Sequence, residues 1–476
     1  MGMEWRGGGR ASWIGLVLLV TACGTVHPDT RAVADAASTA AAPLRALVEQ
    51  ARADGQVPGL VVVIDRGGQL EAVASGTTTT SADGVPVDID TVFQLGSIGK
   101  QFLSASVLRL VEQGRVSLDD PVHDRVPGFS HLPPTLQVRH LLNHTGGLRE
   151  PFMLQAYRDG IEDLSRPAED VVGILRTAPV DAPPGQRWSY SNGHYLLLAL
   201  MVEAITGQPY EDALADAFFR PLGLASMHHC TPRPRDAHEA QGHVRDSDGN
   251  VVAAAPENMA WIRGDGGLCG SARDVARWTR LLALGAVVSP ASYQRMIAPT
   301  RLNDGTGVDY GFGLARVAPD GLDKVSHNGA MLGFSASAAR YPERDVDVVV
   351  LANLGDVRTE AIERAVARQV LGVARPALPE VPVPADASRL AGSFDIGVFH
   401  VRIEVRTDGL WYVSPRPGPT LALRHVGDGR FVGRDNPDAV EVLLQPAGAP
   451  TRLRVYMGGM HWYGTRIAEN VTEAVQ

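Results

Sequence analysis

Ser97 and Lys100 stand three residues apart in Gly96-Ser97-Ile98-Gly99-Lys100, and Lys100 is one of only two lysines in 476 residues that carry 42 arginines. A guanidinium keeps its proton at any ordinary pH, whereas a desolvated ammonium gives it up readily. A chain that writes its cations as Arg either keeps this Lys because a proton must move there or has let one surface Lys through by chance. A serine hydroxyl is a weak nucleophile that needs a neighbouring base, and Lys100 could be or could activate that base. Leu103, Val107, Leu110 and Val111 follow at helical spacing, and Gly114 ends the pattern. A buried helix is thus expected to start near the serine. Residues three apart on a helix share a face, which sets hydroxyl and amine side by side. Free N–H groups at the helix start could stabilise a developing oxyanion. The other lysine, Lys324, reads as a solvent-facing residue.

Two further stretches carry groups that could work with this pair. Trp188-Ser189-Tyr190-Ser191-Asn192 lies between a Pro183-Pro184-Gly185 loop and an apolar helical run over 192–206. A Tyr190 phenolate beside an ammonium is a competent base, and Asn192 could bond a substrate amide. The plainer alternative is a packing Tyr with an Asn N-cap. His327-Asn328-Gly329 falls between two expected strands. Gly329 lets a ligand lie close to the strand, and the N–H of Ala330 could complete an oxyanion hole.

In their order and wide spacing these three stretches resemble the motifs of the penicillin-recognising serine hydrolases: class C β-lactamases, D-Ala-D-Ala carboxypeptidases and their esterase and amidase relatives. Leu141-Leu142-Asn143-His144-Thr145-Gly146-Gly147-Leu148 and Gly266-Gly267-Leu268-Cys269-Gly270-Ser271-Ala272-Arg273-Asp274 are also similar to stretches of that family. The resemblance covers roughly residues 43–372. It implies that Ser97 is a nucleophile forming an acyl-enzyme and that Lys100 and Tyr190 share the base role. It further implies that Asn192 holds the acyl side chain and that His327, Gly329 and Ala330 contact the substrate or its oxyanion, with no cofactor and no metal. Typical β-lactamases of the family carry Lys where His327 stands here. A His anchors a carboxylate only when protonated or as a neutral donor. The expected activity is accordingly cleavage of an amide, peptide or ester of the D-alanyl carboxypeptidase, D-peptidase or esterase type, ahead of a β-lactamase. The rival from another class is a penicillin- or peptidoglycan-binding sensor lipoprotein without turnover. His140 and His144 have the four-residue spacing of zinc ligands, but no Glu completes His-Glu-x-x-His. Leu95 stands where a Gly-x-Ser-x-Gly elbow needs its first Gly, which disfavours an α/β-hydrolase.

The elements that must position these groups follow from texture. A helix over 43–54, a hairpin from 60–64 and 70–74, a β-branched run over 346–351 and a helix over 359–371 flank long helical stretches at 102–114, 192–206 and 271–284. Strands at both ends with helices between them predict an α+β fold, an antiparallel sheet flanked by helices with a helical subdomain. Residues 43–374 form this expected domain. Prolines at 376, 379, 382 and 384 mark 375–385 as a semi-rigid linker. Residues 386–470 then alternate in short strands, with an Asp408-Gly409 hairpin turn, and predict a small all-β barrel.

The remaining features bound location and partners. Residues 1–22 read as a signal segment, with Arg6 and Arg10 ahead of a short apolar run too brief to span a bilayer. Val20-Thr21-Ala22-Cys23 resembles a lipobox, with Cys23 lipidated and 23–42 as a tether; the alternative is a plain secretory signal. On this reading the protein is exported and touches the membrane only through its lipid anchor. Cys230 and Cys269 are then an even pair, open to a disulfide or to two separate buried thiols. A net charge of −9 with no basic stripe argues against nucleic acid as a partner. The substrate is expected to be a small molecule or peptide, derived in one case from peptidoglycan.

Overall fold

The computed structural model describes residues 38–39, 42–397, 400–414, 420–435, 440–443 and 452–467. The expected signal segment and Cys23 lie outside these residues.

Helix α1 (Ala42–Asp54) leads into a hairpin of β2 (Gly59–Arg66) and β3 (Gln69–Gly76), with the short strand β1 (Ser38–Thr39) beside β3. β4 (Val92–Gln94) precedes α2 (Gly99–Glu112), and α3 (Asn192–Thr206) forms the centre of the helical region. β5 (Leu268–Ser271) and α4 (Ala272–Ala283) return the chain to the sheet. β6 (Ala315–Val317), β7 (Lys324–Met331), β8 (Phe334–Tyr341) and β9 (Val346–Ala352) complete that sheet, and α5 (Thr359–Leu371) packs on it. The strand order is β1-β3-β2-β9-β8-β7-β6, antiparallel except at the short edge strand. Strands from the two ends of the domain therefore meet at its centre, through β2 and β9.

Both faces of this sheet are covered, which explains why residues 60–64 of β2 and 348–352 of β9 read as unbroken apolar runs. Successive side chains point to opposite faces. Leu60, Val62 and Ile64 pack with Val348 and Val350 against α1 and α5, whereas Val61 and Val63 join Val349 and Leu351 beneath α4. Helix α3 is apolar around most of its circumference because the helical region encloses it.

Lys324 is the clearest departure from the sequence reading. It does not face solvent: it is fully buried on β7, and its Nζ donates to Glu363 Oε2 of α5 at 2.6 Å. Tyr341 donates to the other Glu363 oxygen. Burial pulls the ammonium down, but the Glu363 carboxylate outweighs it and holds Lys324 above its ordinary value. A buried cation survives here because its counter-ion is buried with it.

The C-terminal unit is a closed eight-stranded antiparallel barrel. Its strands are β10 (Gly392–Asp395), β11 (His400–Arg406), β12 (Gly409–Val413), β13 (Leu421–His425), β14 (Arg430–Gly433), β15 (Glu441–Leu443), β16 (Arg452–Met457) and β17 (Met460–Ile467). β10 pairs with β17 to close it, so no strand edge is left open. The barrel leans on the β6 edge of the large sheet: Asp309 Oδ2 takes His461 Nδ1 at 2.8 Å, and Arg187 lies 3.5 Å from Asp395.

Candidate active site

Ser97 sits in the 3₁₀ turn Gly96–Ile98, which runs directly into α2. Two structures hold this turn. On one side β4 pairs with β5, and the Leu95 N–H donates to the Leu268 carbonyl at 2.9 Å. β5 is fastened in turn by a disulfide between Cys269 and Cys230. On the other side lies β7, whose pairing with β6 stops at Ser326, so the edge from His327 onward faces the serine turn. The approach is backbone against backbone. A Cβ on Gly329 would lie 1.9 Å from the Leu95 carbonyl oxygen, and one on Gly96 would lie 2.8 Å from the Ala330 nitrogen. Gly96 also holds φ +53, where a side chain is disfavoured. The N–H groups of Ser97 and Ala330 lie along this contact, the pair of donors an oxyanion requires.

Lys100 is buried on the first turn of α2 and spends three hydrogen bonds in three directions. Its Nζ reaches Ser97 Oγ at 2.9 Å, Asn192 Oδ1 at 2.7 Å and the Asp265 carbonyl at 2.5 Å. Burial draws its pKa down to about 8, against the pull of the Asp265 and Glu150 carboxylates. Once it loses a proton, the same Ser97 contact reverses and the hydroxyl donates to the amine. The Ser97 hydroxyl lies close enough to Tyr190 to favour its phenolate, but burial outweighs it and pushes the phenol well above the ordinary value. Of the two candidate bases, the amine is the one that can be free near neutral pH.

The loop carrying Tyr190 is positioned from below by His144. The Ser191 N–H donates to His144 Nδ1 at 3.2 Å, and the His144 ring centroid lies 4.2 Å from that of Tyr190. His144 is fully buried with His194 Nδ1 at 3.3 Å. Burial, helped by His194 and Lys100, keeps it neutral. His140 acts locally, its Nδ1 accepting the Gln137 N–H at 3.1 Å. Among the described residues no cluster suits a metal ion.

Asn192 is engaged at both ends of its amide. Its Oδ1 takes Lys100, and its Nδ2 donates to Glu150 Oε1 at 2.9 Å, while its backbone N–H donates to Glu150 Oε2 at 2.5 Å. Glu150 and Asp265 are missing from the sequence analysis, although each lies beside one of the two supporting stretches. Both are buried, and burial raises the pKa of each, Asp265 to about 7. Asp265 Oδ1 has no hydrogen-bond partner, and Glu257 stands close enough to oppose its charge.

His327 also faces inward. Its Nδ1 donates to the Asn328 carbonyl at 2.7 Å, and its Nε2 accepts the Tyr310 hydroxyl at 3.0 Å. Burial and the nearby Lys100 draw its pKa down to about 3, so the imidazole is neutral in any ordinary buffer. The third motif thus presents a backbone edge and supplies no cation.

Fold and site together define a serine hydrolase. Residues 44–372 match the family described as Beta-lactamase, and the chain belongs to that family. Penicillin-binding protein 4* of Bacillus subtilis (strain 168) is 29% identical over 282 residues, which are 56% of this chain and 62% of that protein. The D-aminopeptidase of Brucella anthropi is 24% identical over 407 residues, 84% of this chain and 72% of that one. The octameric penicillin-binding protein homologue from Pyrococcus abyssi superposes with a TM-score of 0.64 at 23% identity, covering 88% of this chain and 99% of that one.

Proposed function

We propose that the chain hydrolyses amides and peptides whose acyl part is a D-amino acid with a free amine, through an acyl-Ser97 intermediate. The observation that carries this is the charge inventory. Lys100 is set among the carboxylates of Glu150 and Asp265, with Glu257 beyond them, and the neutral His327 adds no positive charge. Above about pH 7, where Asp265 is ionised, such a site repels a substrate carboxylate and attracts an ammonium. The unpartnered Asp265 Oδ1 is a buried acceptor that an ammonium would satisfy. The likeness to a D-aminopeptidase supports the same reading.

In this mechanism neutral Lys100 takes the Ser97 proton as Oγ bonds to the substrate carbonyl carbon. The N–H groups of Ser97 and Ala330 hold the oxyanion. As the C–N bond breaks, the proton passes through the Tyr190 hydroxyl to the leaving amine. Water then attacks the acyl carbon, gives its proton back to Ser97, and frees the acid. The Cys230–Cys269 disulfide supports an oxidising compartment and so an exported protein; the lipid anchor rests on the sequence around Cys23 alone.

The test is a substrate panel on wild type and Ser97→Ala: D-amino acid amides and p-nitroanilides, their N-acetylated forms, D-Ala-D-Ala-terminated peptides, simple esters and a chromogenic cephalosporin. Free-amine D-amides should show the highest kcat/KM, and acetylation should cut it. A preference for the acetylated or carboxylate-terminated substrates refutes the amine reading. Full activity in Ser97→Ala refutes the acyl-serine.

A further inference from the structure

The barrel's hydrophobic cluster does not stop at the barrel. Trp188, Tyr190 and Tyr310 belong to the same buried cluster as Phe394 and Trp462. The Trp462 ring centroid lies 5.4 Å from that of Tyr190 and 5.9 Å from that of Trp188. Its own orientation is set across the β16–β17 hairpin, where Nε1 donates to the Met457 carbonyl at 2.9 Å.

The hairpin turn makes a second contact, on the third motif. Gly458 and Gly459 both hold positive φ, +58 and +79. They differ in what stands beside them: a Cβ on Gly459 would lie 2.7 Å from Asn328 Oδ1, whereas one on Gly458 would meet nothing within 4 Å. The Ser326 hydroxyl donates to the Gly459 carbonyl at 3.4 Å. At the far end of the barrel wall, Gly397 comes as close to the second motif, where a Cβ would lie 2.9 Å from the Tyr190 carbonyl oxygen. Three separate points of the barrel thus touch the two motifs that complete the serine site.

We propose that the barrel is a working wall of this site, its last hairpin positioning Tyr190 through Trp462 and the third motif through Gly459. Trp462 is a positioning residue: the phenol must stay aimed at Ser97, and Trp462 is one of the rings that fix its plane. Without that ring Tyr190 gains room on its barrel side, and the Tyr190–Ser97 contact loosens. A misplacement of about 1 Å at a reacting group costs on the order of 10²-fold in rate.

The experiment uses the full chain and a D-amino acid p-nitrophenyl ester, with acylation rates measured in single turnover on protein whose folded fraction is set by near-ultraviolet circular dichroism. Trp462→Ala should lower the acylation rate on the order of 10²-fold with little change in KM, and Trp462→Phe, which keeps a ring in place, should recover most of it. Gly459→Ala should be slow, whereas Gly458→Ala, equally strained but touching nothing, should acylate at the wild-type rate. A folded Trp462→Ala with wild-type acylation overturns the proposal. Where Trp462→Ala does not fold, equal rates for Gly459→Ala and Gly458→Ala overturn it instead. Ser97→Ala is run in parallel: residual acylation there sinks the acyl-serine reading on which the proposal rests, whereas its loss in Ser97→Ala beside wild-type acylation in a folded Trp462→Ala sinks the barrel's role alone.

Discussion

Lys324→Met should be among the most damaging single changes outside the catalytic residues. The substitution keeps the length of the side chain and removes only its charge, so it isolates the ion pair. Glu363, with no exposed side-chain surface, would then keep one hydrogen bond, from Tyr341, and no cation at its Oε2. Removing one partner of a buried ion pair costs about 3–5 kcal/mol, because the other charge is left uncompensated in a medium that cannot solvate it. Unfolding entropy scales with size, and for a unit of about 330 residues each kcal/mol shifts Tm by roughly 1.4 °C. A drop of about 4–7 °C is therefore expected in a calorimetric or circular-dichroism melt. The deficit of Glu363→Gln should shrink in alkali, where the stranded Lys324 amine is neutral. In the wild type Lys324 is held above its ordinary value, so the stability its proton contributes is complete below about pH 10 and is lost as pH rises through the raised value. Lys324→Met/Glu363→Leu should recover part of the loss, since apolar groups replace a buried pair at little cost but the Tyr341 hydroxyl is left without its acceptor. A Lys324→Met melt within about 1 °C of wild type would refute the assignment of this lysine to a sealed pair.

Five further outcomes test the site and its supports. Lys100→Arg keeps the charge but cannot release a proton, and acylation in a stopped-flow burst should fall to the Ser97→Ala level. The wild-type kcat/KM should climb as pH rises through about 8, where the buried amine becomes neutral, and a profile that falls over that range would contradict Lys100 as base. Glu150 is one of the two carboxylates that hold Lys100 up, so Glu150→Gln should move this limb to lower pH even if the loss of its bonds to Asn192 lowers the plateau. Gly329→Ala drives a methyl into the Leu95 carbonyl; it should abolish acylation and lower Tm by several degrees. Reducing the Cys230–Cys269 bridge, which closes a loop of 39 residues, should cost about 3–4 kcal/mol in urea unfolding.

Local chemistry made much of the frame legible. The β2–β3 hairpin shows as two apolar runs around Gly67-Gly68, and α5 as an amphipathic stretch whose ends at Thr359 and Leu371 fall where the pattern predicts. Ser97, Lys100 and Tyr190 stand at recognisable spacings, and the fold brings them within hydrogen-bonding reach. What stayed hidden is whatever depends on a distant partner. Lys324 looks like a surface cation until α5 folds over β7, because Glu363 lies 39 positions later on another element. Glu150 and Asp265 carry no motif of their own and acquire meaning only when Asn192 and Lys100 arrive beside them. The reach of Trp462 to Tyr190 crosses from the barrel into the other domain, and no periodicity records that.

The sheet's order has a consequence for how the chain is made. Gly59 on β2 donates to Asn353 just past β9, 294 positions away. At about 5–20 residues per second the ribosome needs roughly 15–60 s to deliver that partner. For all of that time the β2–β3 hairpin carries two apolar faces and an unpaired central edge, the combination most prone to join a neighbouring chain. The first long strand of the domain thus waits for one of its last, and whatever holds newly made chains apart must act on residues 59–76 until nearly the whole domain has emerged.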